Sequence, residues 1–215
     1  RIQKFDASGN YITQWGSVGT GNGQFNSPNG VAVASDGSVY VADTVNNRIQ
    51  KFDANGNYIV QWGSAGTGDG QFDLSIKVAV ASDGSVYVAD YGNDRIQIFD
   101  ANGNYIAQWG STGAADGQFN EPRGVAVASD GSVYVVDTDN YRVQVFDASG
   151  NCVTLWGTSG DANGQFNEPR DLAVALDGSV YVADSNNNRI QKFDPHWIDL
   201  GAPEKLFHAT CSDET

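Results

Sequence analysis

The stretch GQFNSPNGVAV at residues 23–33, followed by DGSVYVAD at 36–43 and NNRIQKFD at 46–53, decides the fold of this chain. Apolar and polar residues alternate with period two in short runs, and Gly, Asn, Asp and Ser bound each run. That is the pattern of short strands joined by tight turns. Val31–Ser35 and Ser38–Asp43 flank Asp36 and Gly37, a pair that tolerates the positive φ angles of a hairpin. Arg48–Asp53 reads as a third strand and Tyr58–Trp62 as a fourth, joined by a turn at 54–57. A glycine-rich link at 63–70 follows, and no 3.6-residue helical period appears anywhere.

Outward from this stretch the same unit recurs. Arg1, Arg48, Arg95, Arg142 and Arg189 are spaced by 47 residues, as are Trp15, Trp62, Trp109 and Trp156. Residues 23–69 and 117–163 are identical at 30 of 47 positions, so the units arose by duplication. Four short antiparallel strands per 47-residue unit predict an all-β fold, a β-propeller with one four-stranded blade per repeat. Strand one (Val31 to Ala34) is small and suits the crowded axis. Tyr40, Phe52, Tyr58 and Trp62 on later strands are large enough to fill the widening wedge between sheets.

The 215 residues hold four to five blades' worth of sequence: strands three and four at 1–15, three complete blades at 31–62, 78–109 and 125–156, and strands one to three at 172–194. Two closures are open. The amino-terminal pair completes the last sheet in a four-bladed ring, leaving 189–194 over, or the tail supplies a fourth strand and the chain forms an arc, part of a larger ring. An arc with unpaired edges invites association. The chain starts at Arg1 without a signal-peptide pattern, as expected of a processed product or a cut piece.

The elements at 23–33, 36–43 and 46–53, at fixed spacing, resemble the NHL repeat over residues 1–194, with 195–215 a non-repeating tail expected to pack on the propeller. The resemblance implies a propeller, commonly six-bladed, that usually serves as a binding platform. It also brings in rivals, the peptidylglycine-amidating and streptogramin lyases, which depend on histidines in their propellers. Here His196 and His208 both lie in the tail, so no catalytic residue, metal or cofactor is expected. RNA binding, known for the propellers of tripartite-motif proteins, needs a basic face. Among 12 basic residues only Lys77, Arg123, Arg170 and Lys205 fall outside repeated positions, against a net charge of −14, so no nucleic-acid partner is expected. No apolar run is long enough for membrane insertion.

Thirteen of the 26 acidic residues are locked to the repeat, in hairpin turns (Asp36, Asp83, Asp130, Asp177), at the end of strand two (Asp43, Asp90, Asp137, Asp184) and at the end of strand three. Identical copies on every blade read as architecture, with the Asp43 set and the asparagines three residues on accepting turn N–H groups. The segment Asp53 to Asn57 faintly resembles a calcium loop, but Trp62 stands where the bidentate glutamate would be required, which favours a plain hairpin turn.

Recognition belongs where the repeats differ. Tyr91, Asp139 and Tyr141 in the turns between strands two and three, with Arg123 and Arg170 in the links before strand one, are the candidate ligand-binding residues; neutral drift in exposed loops is the alternative. The link at 73–77 loses the motif's proline and glycine, which predicts a different path. Cys152 replaces the repeat tyrosine of strand four, and Cys211 lies in the tail. A tail folded back over the neighbouring outer strand would place them in a disulfide, implying an oxidising, extracellular or secreted setting; two free thiols are the alternative. The expected function is a non-enzymatic extracellular protein-binding or assembly module, or a structural subunit of a repeating assembly, engaging a protein partner or itself through open blade edges.

Overall fold

The computed structural model describes residues 1–194 and 208–211. It opens with a hairpin of β1 (Ile2–Phe5) and β2 (Tyr11–Trp15), and a short parallel pair, β3 (Ser17–Val18) and β4 (Gln24–Phe25), forms the first link. The first blade is β5 (Pro28–Val33), β6 (Val39–Asp43), β7 (Arg48–Phe52) and β8 (Tyr58–Trp62), antiparallel and in chain order. The second is β9 (Ser75–Val80), β10 (Val86–Asp90), β11 (Arg95–Phe99) and β12 (Tyr105–Trp109). The third is β13 (Pro122–Val127), β14 (Val133–Asp137), β15 (Arg142–Phe146) and β16 (Cys152–Trp156). The fourth holds β17 (Pro169–Val174), β18 (Val180–Asp184) and β19 (Arg189–Phe193), and β20 (His208–Thr210) comes last. The fold is an all-β propeller of four blades about a common axis, each first strand innermost, and a single 3-10 turn joins strands two and three of every blade.

The anticipated strand inventory and the four-bladed all-β propeller hold, while the strands at the two ends pair otherwise than expected among the described residues. β1–β2 remains a sheet of its own, and β20 does not become a fourth strand of the last blade. β20 pairs with β16 instead (Thr154↔Thr210, Trp156↔His208), a fifth strand on the third blade, and Cys152 is bonded to Cys211 with Cα atoms 5.7 Å apart. Each blade packs on the next through an aromatic ladder. Trp15, Trp62, Trp109 and Trp156 meet Phe52, Phe99, Phe146 and Phe193 of the following sheet at centroid distances of 5.5–5.9 Å. Each such ring pair stabilises by about 0.5–1.5 kcal/mol beyond its burial.

The link at 73–77 keeps the path of its counterparts, contrary to the sequence expectation. Leu74 takes φ 55°, as Ser27, Glu121 and Glu168 take 50–55°, and the Gly92 N–H donates to the Asp73 carbonyl as the Asp139 N–H does to Asn120. Side-chain and backbone bonds from the neighbouring turn hold this link, the Leu74 N–H donating to Asn47 Oδ1 at 2.8 Å, so proline and glycine are not needed to shape it.

Candidate binding face

The turns between strands two and three and the links before strand one share one end of the propeller, and a buried polar node holds them there. Asp43, fully buried, accepts hydrogen bonds from Arg48 Nε (2.7 Å), Asn46 Nδ2 (2.9 Å), Gln50 Nε2 (3.0 Å) and the backbone N–H of Asn26 (2.6 Å). The Arg48 guanidinium also donates to the carbonyls of Thr20, Gly21 and Gln24, clamping the link. Asp90, Asp137 and Asp184 repeat the node. The structural reading of this set therefore stands with a corrected reason: the aspartate does not cap its own turn but ties an incoming link to the blade. Breaking one such buried pair costs about 3–5 kcal/mol, because its partner is left charged and unpaired. The Asp53 segment is likewise a turn, its carboxylate accepting the N–H groups of Asn55 and Asn57.

On this scaffold the non-repeated residues gather across blades two to four. The Arg123 guanidinium lies 4.7 Å over the Tyr91 ring, and its Nη2 donates to Tyr91 Oη (3.1 Å) and Glu121 Oε2 (3.2 Å). Burial and a hydrogen bond to Glu121 push the Tyr91 phenol up to about 12, so it stays a donor at any physiological pH. Asp139 is exposed; partial burial, then Glu121, Glu168 and Asp94, raise its pKa, and Arg123 opposes them. Arg170 donates to Glu168, whose pKa that bond lowers. Tyr91, Asp139, Arg123 and Arg170 thus form one electrostatic group. Tyr141 does not join it: in a left-handed conformation (φ 56°), it packs against the apolar cluster between the third and fourth blades.

Sequence reading missed three members, Glu121, Glu168 and Asp94. The signal was present in the repeated Glu-Pro-Arg at 121–123 and 168–170, an acid placed two residues before each arginine. It also missed a partnership at the axis. Lys77 and Asp171 stand where the first and third blades carry Gly30 and Gly124, and Lys77 Nζ reaches Asp171 Oδ2 at 2.6 Å, joining the inner strands of blades two and four. Of the two histidines, His196 lies outside the described residues. Among the described residues no group of three His, Cys, Asp or Glu side chains is placed to hold a metal, and no helix is long and apolar enough to cross a membrane.

The family model described as NHL repeat matches residues 25–52, 76–99, 119–146 and 166–193. No curated protein is similar enough in sequence to count as a relative. Similar solved structures include a streptogramin B lyase (TM-score 0.55, 15% identity, covering 78% of this chain and 54% of that one). Another is virginiamycin B lyase from Staphylococcus aureus (0.62, 13%, 89% and 62%). A third is the WD40 β-propeller domain of Doa1 (0.60, 14%, 85% and 53%). The chain spans between half and two thirds of the length of these three, and at such identities the likeness is one of fold alone.

Proposed function

Because the chain belongs to the NHL repeat family of β-propeller proteins, we propose that it is a non-enzymatic extracellular binding module that takes a basic protein segment on the Tyr91–Arg123–Asp139 face. The observation that supports this reading most is the charge of the group formed where the blades differ. Four carboxylates (Asp94, Glu121, Asp139, Glu168) gather here with Arg123, and the ionised form of the exposed one, Asp139, is destabilised first by partial burial and then by repulsion from Glu121, Glu168 and Asp94, against the attraction of Arg123. A lysine or arginine from a partner relieves that repulsion, and the Tyr91 ring, already stacked with one guanidinium, offers an aromatic surface beside it. The Cys152–Cys211 bond supports the extracellular part of the proposal, since such bonds persist in oxidising compartments.

Calorimetric titration with a short Arg-Gly repeat peptide tests the reading. Binding is expected to weaken with salt and to fall roughly tenfold in Asp139→Asn, the loss of one charge-assisted contact. A peptide that does not bind, or binds the variant equally well, overturns it. Turnover of a type B streptogramin by the purified chain would overturn the non-enzymatic part.

A further inference from the structure

In the first two blades the left-handed residue that follows the 3-10 turn ties the next link to that turn. Asn47, Asp94, Tyr141 and Asn188 hold this position in the four blades, at φ 50–56°. Asn47 Oδ1 accepts the Leu74 N–H and Asp94 Oδ1 accepts the Glu121 N–H, each at 2.8 Å. Asparagine and aspartate suit both tasks, since their short polar side chains tolerate the left-handed region and reach a nearby amide. Tyr141 suits neither. A bulky residue is strained at φ 56°, and its one side-chain acceptor lies at the far end of a ring packed against the apolar cluster between the third and fourth blades.

The consequence falls on Glu168, the counterpart of Leu74 and Glu121. Its backbone keeps their conformation (φ 50°), and the link keeps their path, because Thr138 Oγ1 donates to the Pro169 carbonyl at 2.8 Å and the Asn186 N–H donates to the Asn167 carbonyl. The Glu168 N–H itself has no hydrogen-bond partner among the described residues. The matching bond at Leu74 is open to solvent and that at Glu121 partly so. A main-chain donor is thus held in place with its bond unspent, and such a group favours any acceptor that reaches it. Asp139, exposed, stands two residues before Tyr141 on the same turn, so a donor and a carboxylate share the junction of the third and fourth blades. At the preceding junction the corresponding amide is already spent on Asp94.

We propose that the Glu168 amide is a main-chain docking point: a basic segment bound on the Tyr91–Arg123–Asp139 face presents a backbone carbonyl to the Glu168 N–H and its cationic side chain to Asp139. Tyr141 is the specificity-determining residue, because it withholds the acceptor that would otherwise close the site. The inference rests on the reading of that face as a binding site and adds where the partner's main chain runs. A carbonyl beside a cation is what an arginine or lysine within a polypeptide offers, so the site selects a peptide over a free amine or guanidine.

Amide hydrogen exchange followed by NMR on the 215-residue protein, with and without the Arg-Gly repeat peptide, tests the proposal. In the free protein the Glu168 amide is expected to exchange about tenfold faster than those of Leu74 and Glu121, and to slow when the peptide saturates the face. Tyr141→Asn supplies the acceptor that Asn47 supplies to Leu74, so it should protect the Glu168 amide and weaken the peptide about tenfold. Tyr141→Ala removes the ring without adding an acceptor and should leave peptide affinity within about twofold. A Glu168 amide as protected as that of Leu74 in the free protein, one that bound peptide leaves unchanged, or two variants that weaken binding equally would each overturn the docking point alone. A peptide that does not bind the natural chain overturns the reading of the face and the docking point with it. The exchange comparison on the natural chain decides the matter even where Tyr141→Ala folds poorly.

Discussion

At the scale of single residues, the repeat works because a few positions are sterically exact. Gly110 ends the second blade at φ +101°, and a Cβ there would lie 2.5 Å from the Phe119 ring. Gly110→Ala is therefore expected to lower stability by more than about 1 kcal/mol, since a strained φ and a clash add, and denaturant unfolding measures it. Asp6, Asp53, Asp100 and Asp147 hold pKa values below the ordinary 3.8, chiefly through the side-chain amides of Asn10, Asn57, Asn104 and Asn151. A folded-state pKa below the unfolded one means the stabilisation is complete above 3.8 and is lost as pH falls through the lowered value. Asp137 runs the other way: burial raises its pKa despite Asn120, Asn140 and Arg142, so acid relieves a cost there. Because the four turn carboxylates act together, the net expectation is acid destabilisation below about pH 4. In Asp100→Asn, tryptophan fluorescence against pH should show a flatter acid limb than in the natural chain.

At the scale of elements, the outer strand β16 shows how one substitution redirects a segment. With Cys152 in place of the repeat tyrosine, the third blade offers a thiol at its rim, and β20 extends the sheet on the free edge of β16. That edge would otherwise be a template for intermolecular pairing, so the tail also covers a liability. Cys152→Ser is expected to cost about 2–4 kcal/mol, the usual range for a native bridge, and to speed amide exchange at Thr154 and Trp156. Alkylation without reduction should label neither thiol of the natural chain; full labelling would refute the bridge.

At the scale of the molecule, Lys77 and Asp171 tie the second blade to the fourth across the axis. Their side chains are 25% and 47% exposed, so screening limits the pair to roughly 0.2–1 kcal/mol of coupling. A double-mutant cycle of Lys77→Ala and Asp171→Ala should return that coupling, and strict additivity would show that the second and fourth blades are not coupled through it. Sequence alone left the two cysteines open between a bridge and free thiols, and it determined the blade, its four strands and turns, the 47-residue period and the taper from small to aromatic strands. These depend on alternation, turn residues and repeat spacing, all encoded within a few residues of each other. Only the tertiary structure decided that β20 lies on the third blade, that Asp43 clamps a link instead of capping its turn, that Tyr141 packs against the apolar cluster between the third and fourth blades while Glu121, Glu168 and Asp94 lie near Asp139, and that Lys77 and Asp171 pair with each other. Each of these joins residues from different strands, links or repeats, and such adjacency is set by how blades pack around an axis, which no local pattern records.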